Sequence, residues 1–205
     1  MATGSLILAE GDGAIVANKP SGQLVHNSHF AGPREHTLAM DIRALCGADY
    51  HPVHRIDRGA SGCVVFARRH RVAHYQAAMA LCTKRYLAIV RGTFRRAVDV
   101  DHAIDNKEAQ TFFAPISHSA IPRVSLVAAL PKSGRLHQVR RHLKHLSHPI
   151  IGDANYGKGK LNRELRARYG IARLALHLVE IECADLRATA KPPADLHLDA
   201  LQLRL

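Results

Sequence analysis

The stretch His54-Arg55-Ile56-Asp57-Arg58-Gly59-Ala60-Ser61-Gly62 runs directly into the apolar segment Cys63 to Ala67. A short apolar run with β-branched residues after two glycines predicts a buried strand entered through a tight turn. Asp57 then stands at the mouth of that strand with an arginine on each side. Neighbouring cations favour a carboxylate in the ionised form that acts as nucleophile or base. Gly59 and Gly62 supply the backbone freedom to present it on a loop facing a groove. The same residues also suit a surface turn with a local ion pair, so the rest of the chain has to decide.

Upstream, Ser5 to Glu10 and Ala14 to Asn18 are short β-type runs joined by Gly11-Asp12-Gly13, a hairpin signal. Lys19-Pro20-Ser21-Gly22 breaks the chain before Gln23-Leu24-Val25-His26 and puts Lys19 at a strand end. Thr37 can cap a helix reaching Cys46, with Leu38, Ile42 and Leu45 on one face and Gly47 as its stop. Downstream, Val72 to Leu81 has a helical apolar face and Tyr86 to Val90 is the next strand, entered through Lys84-Arg85. The segments Val98 to Ile104, Ala109 to Ile116 and Val124 to Leu130 read as three more strands. A last long strand runs from Leu174 to Cys183, and Pro192-Pro193 introduces a short terminal element. Strands in this order, without regular alternation with helices, predict an α+β fold on a mixed, mainly antiparallel sheet with flanking helices.

The 205 residues carry 29 Lys+Arg against 17 Asp+Glu, a formal charge of +12, so a polyanion is the first partner to consider. With 47% hydrophobic residues the chain is folded, not disordered. It reads as one domain over 1–205 with no added N-terminal RNA-binding module. No apolar run approaches the roughly 20 residues of a membrane span. The cysteines Cys46, Cys63, Cys82 and Cys183 are scattered, and read as buried free thiols of a reducing, cytoplasmic compartment.

Between Glu108 and Asp153 there is no acidic residue. A helix from about Leu136 to Leu146 would set Leu136, Val139, Leu143 and Leu146 on one stripe. At about 100° per residue Arg140 falls on the edge of that stripe, able to point into a cleft, while Arg141 and Lys144 face solvent or phosphate. Lys158, Lys160, Arg163, Arg166 and Arg168 mark a second basic helix ending near Gly170.

Fifteen histidines raise a metal site, with His142 and His145 on one helical face and His137 and His148 near. No cysteine pair or carboxylate completes the set, and the surrounding cations oppose another positive ion, so contact with phosphate or solvent suits them better. Cys63 and Cys82 sit in apolar periodic runs and suit packing more than nucleophilic attack. Gly157 to Lys160 lacks the glycine spacing and following hydroxyl of a phosphate-binding loop. The remaining combination is a carboxylate at Asp57, an aromatic at Tyr86, an inward-capable Arg140 and a wide basic surface. That set suits cofactor-free chemistry on a nucleic-acid base flipped out of its stack.

At these residues the chain resembles the pseudouridine synthases of the RluA type. Four blocks carry the likeness: Asn18-Lys19-Pro20-Ser21-Gly22 with Val25-His26; His54-Arg55-Ile56-Asp57 with Ser61-Gly62; Lys84-Arg85-Tyr86-Leu87-Ala88; and Gly134-Arg135-Leu136-His137-Gln138-Val139-Arg140 continuing through His148-Pro149-Ile150-Ile151-Gly152-Asp153. The resemblance implies that Asp57 is the essential carboxylate, Tyr86 the aromatic against the flipped uridine, and Arg140 the ion-pair partner of Asp57. Arg55 would occupy the place the base leaves. Arg58, Lys19, Lys84, Arg135, His137, Arg141 and Lys144 would contact RNA along a central basic cleft, with no metal and no cofactor. The implied reaction breaks the uridine N-glycosidic bond, turns the uracil and rejoins it through carbon.

The block around Arg140 to Asp153, with Leu161-Asn162-Arg163, resembles the TruC-like tRNA subgroup. That implies a substrate uridine near the junction of the T and acceptor stems; separately, the chain is expected to act as a monomer. Ribosomal RNA is the alternative substrate, and a non-catalytic RNA-binding protein the alternative class. Ala60 departs from the family, which usually has Thr there, and Val98 to Leu130 is shorter than expected for the subgroup.

Overall fold

The computed structural model describes residues 5–27, 35–157 and 159–205; Lys158, one of the basic residues expected in and before the second basic helix, lies outside the described residues. In chain order the elements are β1 (Ile7–Gly11), β2 (Ala14–Lys19), α1 (Leu38–Cys46), β3 (Tyr50–Pro52), β4 (Ser61–Arg68), α2 (Val72–Ala78), β5 (Thr83–Arg91), β6 (Val98–Asp101), β7 (Gln110–Ser119), β8 (Val124–Pro131), α3 (Gln138–His145), α4 (Lys160–Tyr169), β9 (Leu176–Cys183) and β10 (Leu186–Thr189). The fold is α+β, with mostly antiparallel strands and four helices among the described residues. None of those helices is long and apolar enough to cross a membrane.

The chain divides into two compact units. The first comprises 1–84 and Leu178–Lys191, the second Arg85–His177 and Pro192–Leu205, so the division falls inside β5 and inside β9. In the first unit the strand order is β1-β2-β4-β9, with β3 beside β4 and β10 beside β9. The expected hairpin is β1-β2, and β2 pairs antiparallel with β4, placing Lys19 opposite Gly62. Cys63 to Ala67 is fully buried, as its continuous apolar character requires for a strand covered on both faces. α1 starts after Thr37 and ends at Gly47, which has φ +103°. Its buried face is Leu38, Ala39 and Ile42, whereas Leu45 is exposed.

Two of the expected free thiols are paired: Cys82 and Cys183 form a disulfide, their Cα atoms 4.4 Å apart. Their 101-residue separation hides the pairing from any local reading of the sequence. Cys63 is free and buried, and burial pushes its thiol up to about 12, which suits packing and not nucleophilic attack.

In the second unit β6-β7-β8 is an antiparallel meander and β5 pairs antiparallel with β8, with Tyr86 opposite Ala129 and Val98 opposite Phe113. β6 stops at Asp101, because Asp105 and Asn106, both at positive φ, turn the chain between Ile104 and Lys107. α3 begins at Gln138, two residues later than expected, and Leu136 is left 56% exposed. His137, at φ +55°, makes the bend that separates Leu136 from the helical stripe. Val139 and Leu143 carry the buried face instead. α4 ends on Gly170 in the left-handed conformation, as its glycine stop predicts.

Gly62, in the Asp57 stretch, combines φ +112° with the closest backbone approach in the first unit: a Cβ built there would lie 2.1 Å from the Leu178 carbonyl oxygen. Gly62→Ala is expected to lower the unfolding free energy by roughly 3 kcal/mol or more, because strain and overlap fall on backbone that cannot yield. Urea unfolding of the two proteins measures it; a loss under about 1 kcal/mol would contradict this packing.

Candidate active site

In the first unit the loop around Asp57 is held by its partner loop from the end of β2. Lys19 is fully buried, and its ammonium donates to the carbonyls of Pro20 (2.8 Å), Gln23 (2.7 Å) and Arg58 (3.0 Å). Three N–H groups meet three carbonyls, which offsets the cost of burying the charge. Gly22 N donates to the Arg58 carbonyl at 2.8 Å, and Arg58 Nε donates back to the Gly22 carbonyl at 2.9 Å. Ser21 Oγ donates to the Gly59 carbonyl at 2.6 Å. The expectation that Lys19 contacts RNA is therefore corrected: its protons are engaged inside the protein, and its work is to fasten Arg58 and Gly59, the two residues after Asp57.

Asp57 itself is half-buried at the turn closed by Ala60 N on the Asp57 carbonyl, 3.0 Å. Arg55 and Arg58 are exposed on either side. Arg58 is paired with Glu35 at 2.6 Å, so it reaches solvent as half of an ion pair and not as a bare cation. Behind them His54 Nε2 accepts a hydrogen bond from Val65 N at 3.1 Å, which anchors the stretch to β4. Burial, and then the charge of Lys84, lower the His54 imidazole to about 4. Lys84 is half-buried, donates to the Met79 carbonyl at 3.2 Å, and is itself lowered by burial.

In the second unit Tyr86 is half-buried near the start of β5. Arg140 is 7% exposed and gripped from two directions. Its Nε and Nη2 donate to Asp153 Oδ2 and Oδ1 at 2.8 and 2.9 Å, and its guanidinium carbon lies 5.1 Å from the centre of the Tyr156 ring. Asp153 Oδ1 also accepts from Asn155 N and Tyr156 N at 2.9 and 3.0 Å. Burial pushes the Asp153 carboxyl up, yet the Arg140 bonds and the two backbone N–H groups outweigh it and hold it below its ordinary range. His137 Nδ1 lies 3.2 Å from the Tyr156 hydroxyl, with the two rings edge to face.

Asp153 and Tyr156 are functional candidates that sequence reasoning missed. Asp153 was visible as the end of the His148 to Asp153 block, but its partner 13 residues earlier could not be read from spacing.

The start of α3 is set by Gln138, whose Oε1 accepts from Ser133 Oγ and Arg135 N while its Nε2 donates to the Gln110 carbonyl and Thr111 Oγ1. Thr111 Oγ1 lies 2.9 Å from His142 Nδ1, and His142 Nε2 lies 2.9 Å from the His102 carbonyl. Nε2 therefore carries the proton and Nδ1 accepts, and burial lowers this imidazole. His142 is thus engaged in packing, and no group of three or more His, Cys, Asp or Glu among the described residues could hold a metal ion. Arg135 is exposed and donates to the Glu108 carbonyl, Arg141 forms a two-pronged surface pair with Asp105, and Lys144 is exposed.

Residues 13–145 match the family model described as RNA pseudouridylate synthase. The tRNA pseudouridine synthase C of Haemophilus ducreyi is 36% identical, covering 83% of this chain and 82% of the relative. That of Vibrio vulnificus is 34% identical, covering 82% and 80%. Among solved structures, human RNA Pseudouridylate Synthase Domain Containing 4 superposes with a TM-score of 0.75 over 97% of this chain and 94% of its own, at 24% identity, a likeness of fold.

Two outcomes are expected. Asp153→Asn removes the two-pronged counter-charge of a buried guanidinium and should cost about 3–5 kcal/mol at pH 7. Because the Asp153 carboxyl is held low in the folded state, its contribution is present above the ordinary carboxylate range and lost as pH falls below about 4. Urea midpoints of wild type and variant should therefore converge in acid, and a constant gap would contradict the assignment. His54 has the same sign for a different reason: the unfolded chain takes up its proton near 6.5 and the folded one only near 4. Of order 3 kcal/mol of stability should disappear as pH drops through that interval, and His54→Gln should remove that part of the acid slope.

Proposed function

The chain belongs to the RNA pseudouridylate synthase family and is an isomerase of the RluA type, and from that premise we propose that it converts a uridine of tRNA to pseudouridine. The observation that carries the substrate is the identity of 34–36%, over about four fifths of both chains, with relatives named tRNA pseudouridine synthase C. The net charge of +12 supports a polyanionic substrate. A ribosomal RNA uridine is the second reading, kept open by the segment from Val98 to Leu130, which is shorter than the TruC-like pattern.

In this reading Asp57 is the catalytic carboxylate, and Tyr86 and Arg140 keep the roles that the family resemblance implies for them. The target base leaves its stack, and Arg55, exposed on the Asp57 loop, takes up the space. The N1–C1′ bond breaks, the uracil turns, and a C5–C1′ bond forms. The proton lost from C5 balances the one gained at N1, so the reaction consumes no co-substrate. The enzyme acts as a monomer.

Asp57→Asn should abolish isomerisation while RNA affinity and the unfolding midpoint stay near those of wild type, since the change removes the carboxylate and little volume. Tritium release from RNA labelled at uracil C5 reads the reaction directly. Wild-type release by the variant would remove Asp57 from the mechanism. Mapping pseudouridine in tRNA and rRNA from cells with and without the protein separates the two substrates.

A further inference from the structure

A cavity of about 230 Å³ opens in the second unit between α3 and the segment that follows β6. Its wall includes His102, Ile104, Arg141, Lys144, His145 and Tyr156. The rings of His102 and His145 stack with centroids 4.2 Å apart and planes 20° from parallel. Arg141 is fixed by two bonds to Asp105, at 2.9 and 3.0 Å, from the turn where Asp105 and Asn106 both take positive φ. Tyr156 is the wall shared with the Arg140 clamp, since the same ring lies over the Arg140 guanidinium.

The lining is rich in donors. A lysine ammonium, a guanidinium, two imidazoles and a phenol all offer N–H or O–H groups, while no carboxylate lines the cavity. Asp105 is bound to Arg141 and is not part of the wall. A cation is repelled there, and the stacked imidazoles already cover one face of each other, which leaves ring edges and N–H groups for a ligand. The tetrahedral oxygens of a phosphate match that set: acceptors only, negatively charged and compact.

We propose that this cavity is an anion subsite that receives a backbone phosphodiester of the RNA substrate. The assignment of the anion to RNA rests on the functional reading above, whereas the anion site rests on the cavity alone. A phosphate held here would register the RNA strand against α3 without reading its sequence, the usual division of labour between phosphate and base contacts.

The test follows the ring C–H signals of His102 and His145 by NMR while inorganic phosphate, and separately tRNA, is added to the full chain. Both signals should shift saturably with millimolar phosphate, and tRNA should shift them and displace the phosphate. Silence of both histidines toward both additions overturns the subsite; a response to phosphate that tRNA neither reproduces nor blocks overturns its assignment to the RNA backbone. A second arm compares Lys144→Gln with His145→Gln, made together, against Arg163→Gln on the exposed face of α4, which removes the same formal charge. The paired variant should weaken tRNA binding about tenfold and lower the log–log salt slope by about one, with Arg163→Gln changing both far less. Equal changes would mean diffuse surface charge and would sink the proposal. Tritium release from wild type keeps the readings apart. Release with silent histidines overturns the subsite alone, and responsive histidines without release from any RNA uphold the subsite and overturn the isomerase reading.

Discussion

A single buried ammonium organises the loop on which the proposed chemistry depends. Lys19 has no water to solvate it, so its three protons must find oxygen, and the carbonyls they find belong to Pro20, Gln23 and Arg58. That requirement ties two loops 39 residues apart into one object. The reciprocal Gly22 and Arg58 bonds and the Ser21 hydroxyl on Gly59 then leave the turn after Asp57 little freedom. A catalytic carboxylate gains from being pre-positioned, because a group that already points at its target loses less on reaching the transition state.

The second unit also buries a cation, and meets it with a carboxylate instead of neutral carbonyls. A guanidinium that is almost completely buried needs a counter-charge in matching geometry, and Asp153 supplies a two-pronged one that is itself held by two backbone N–H groups. Tyr156 adds a ring face to the same guanidinium and an oxygen to His137. The chain of contacts from Ser133 through Gln138 and Thr111 to His142 and the His102 carbonyl sets the start of α3, the helix that presents Arg140 and Arg141. Polar groups inside this unit are thus used to orient a cationic helix, and His142 serves there as a buried hydrogen-bonding link.

Formal charge alone overstates the basic surface presented to solvent. Lys19 is internal, Arg58 is neutralised by Glu35 and Arg141 by Asp105, so formal charge in the sequence is not the charge presented to solvent. The cavity beside α3 shows the reverse: His102 precedes His145 by 43 residues in sequence and meets it through ring stacking, its carbonyl also taking the His142 Nε2 bond.

By itself the sequence determined the mainly antiparallel α+β class, the buried strand after Asp57, the glycine stops of α1 and α4, and the family, because local periodicity, turn residues and motif order are properties of neighbours along the chain. It also marked Asp57, Tyr86 and Arg140 as the residues to watch. Only the tertiary structure decided that Lys19 faces inward, that Arg140 is clamped by Asp153 and Tyr156, that Leu136 stands outside the α3 stripe and that Cys82 meets Cys183. Each of these depends on which groups are brought together and cut off from water, and burial is a property of the folded chain that no local spacing encodes.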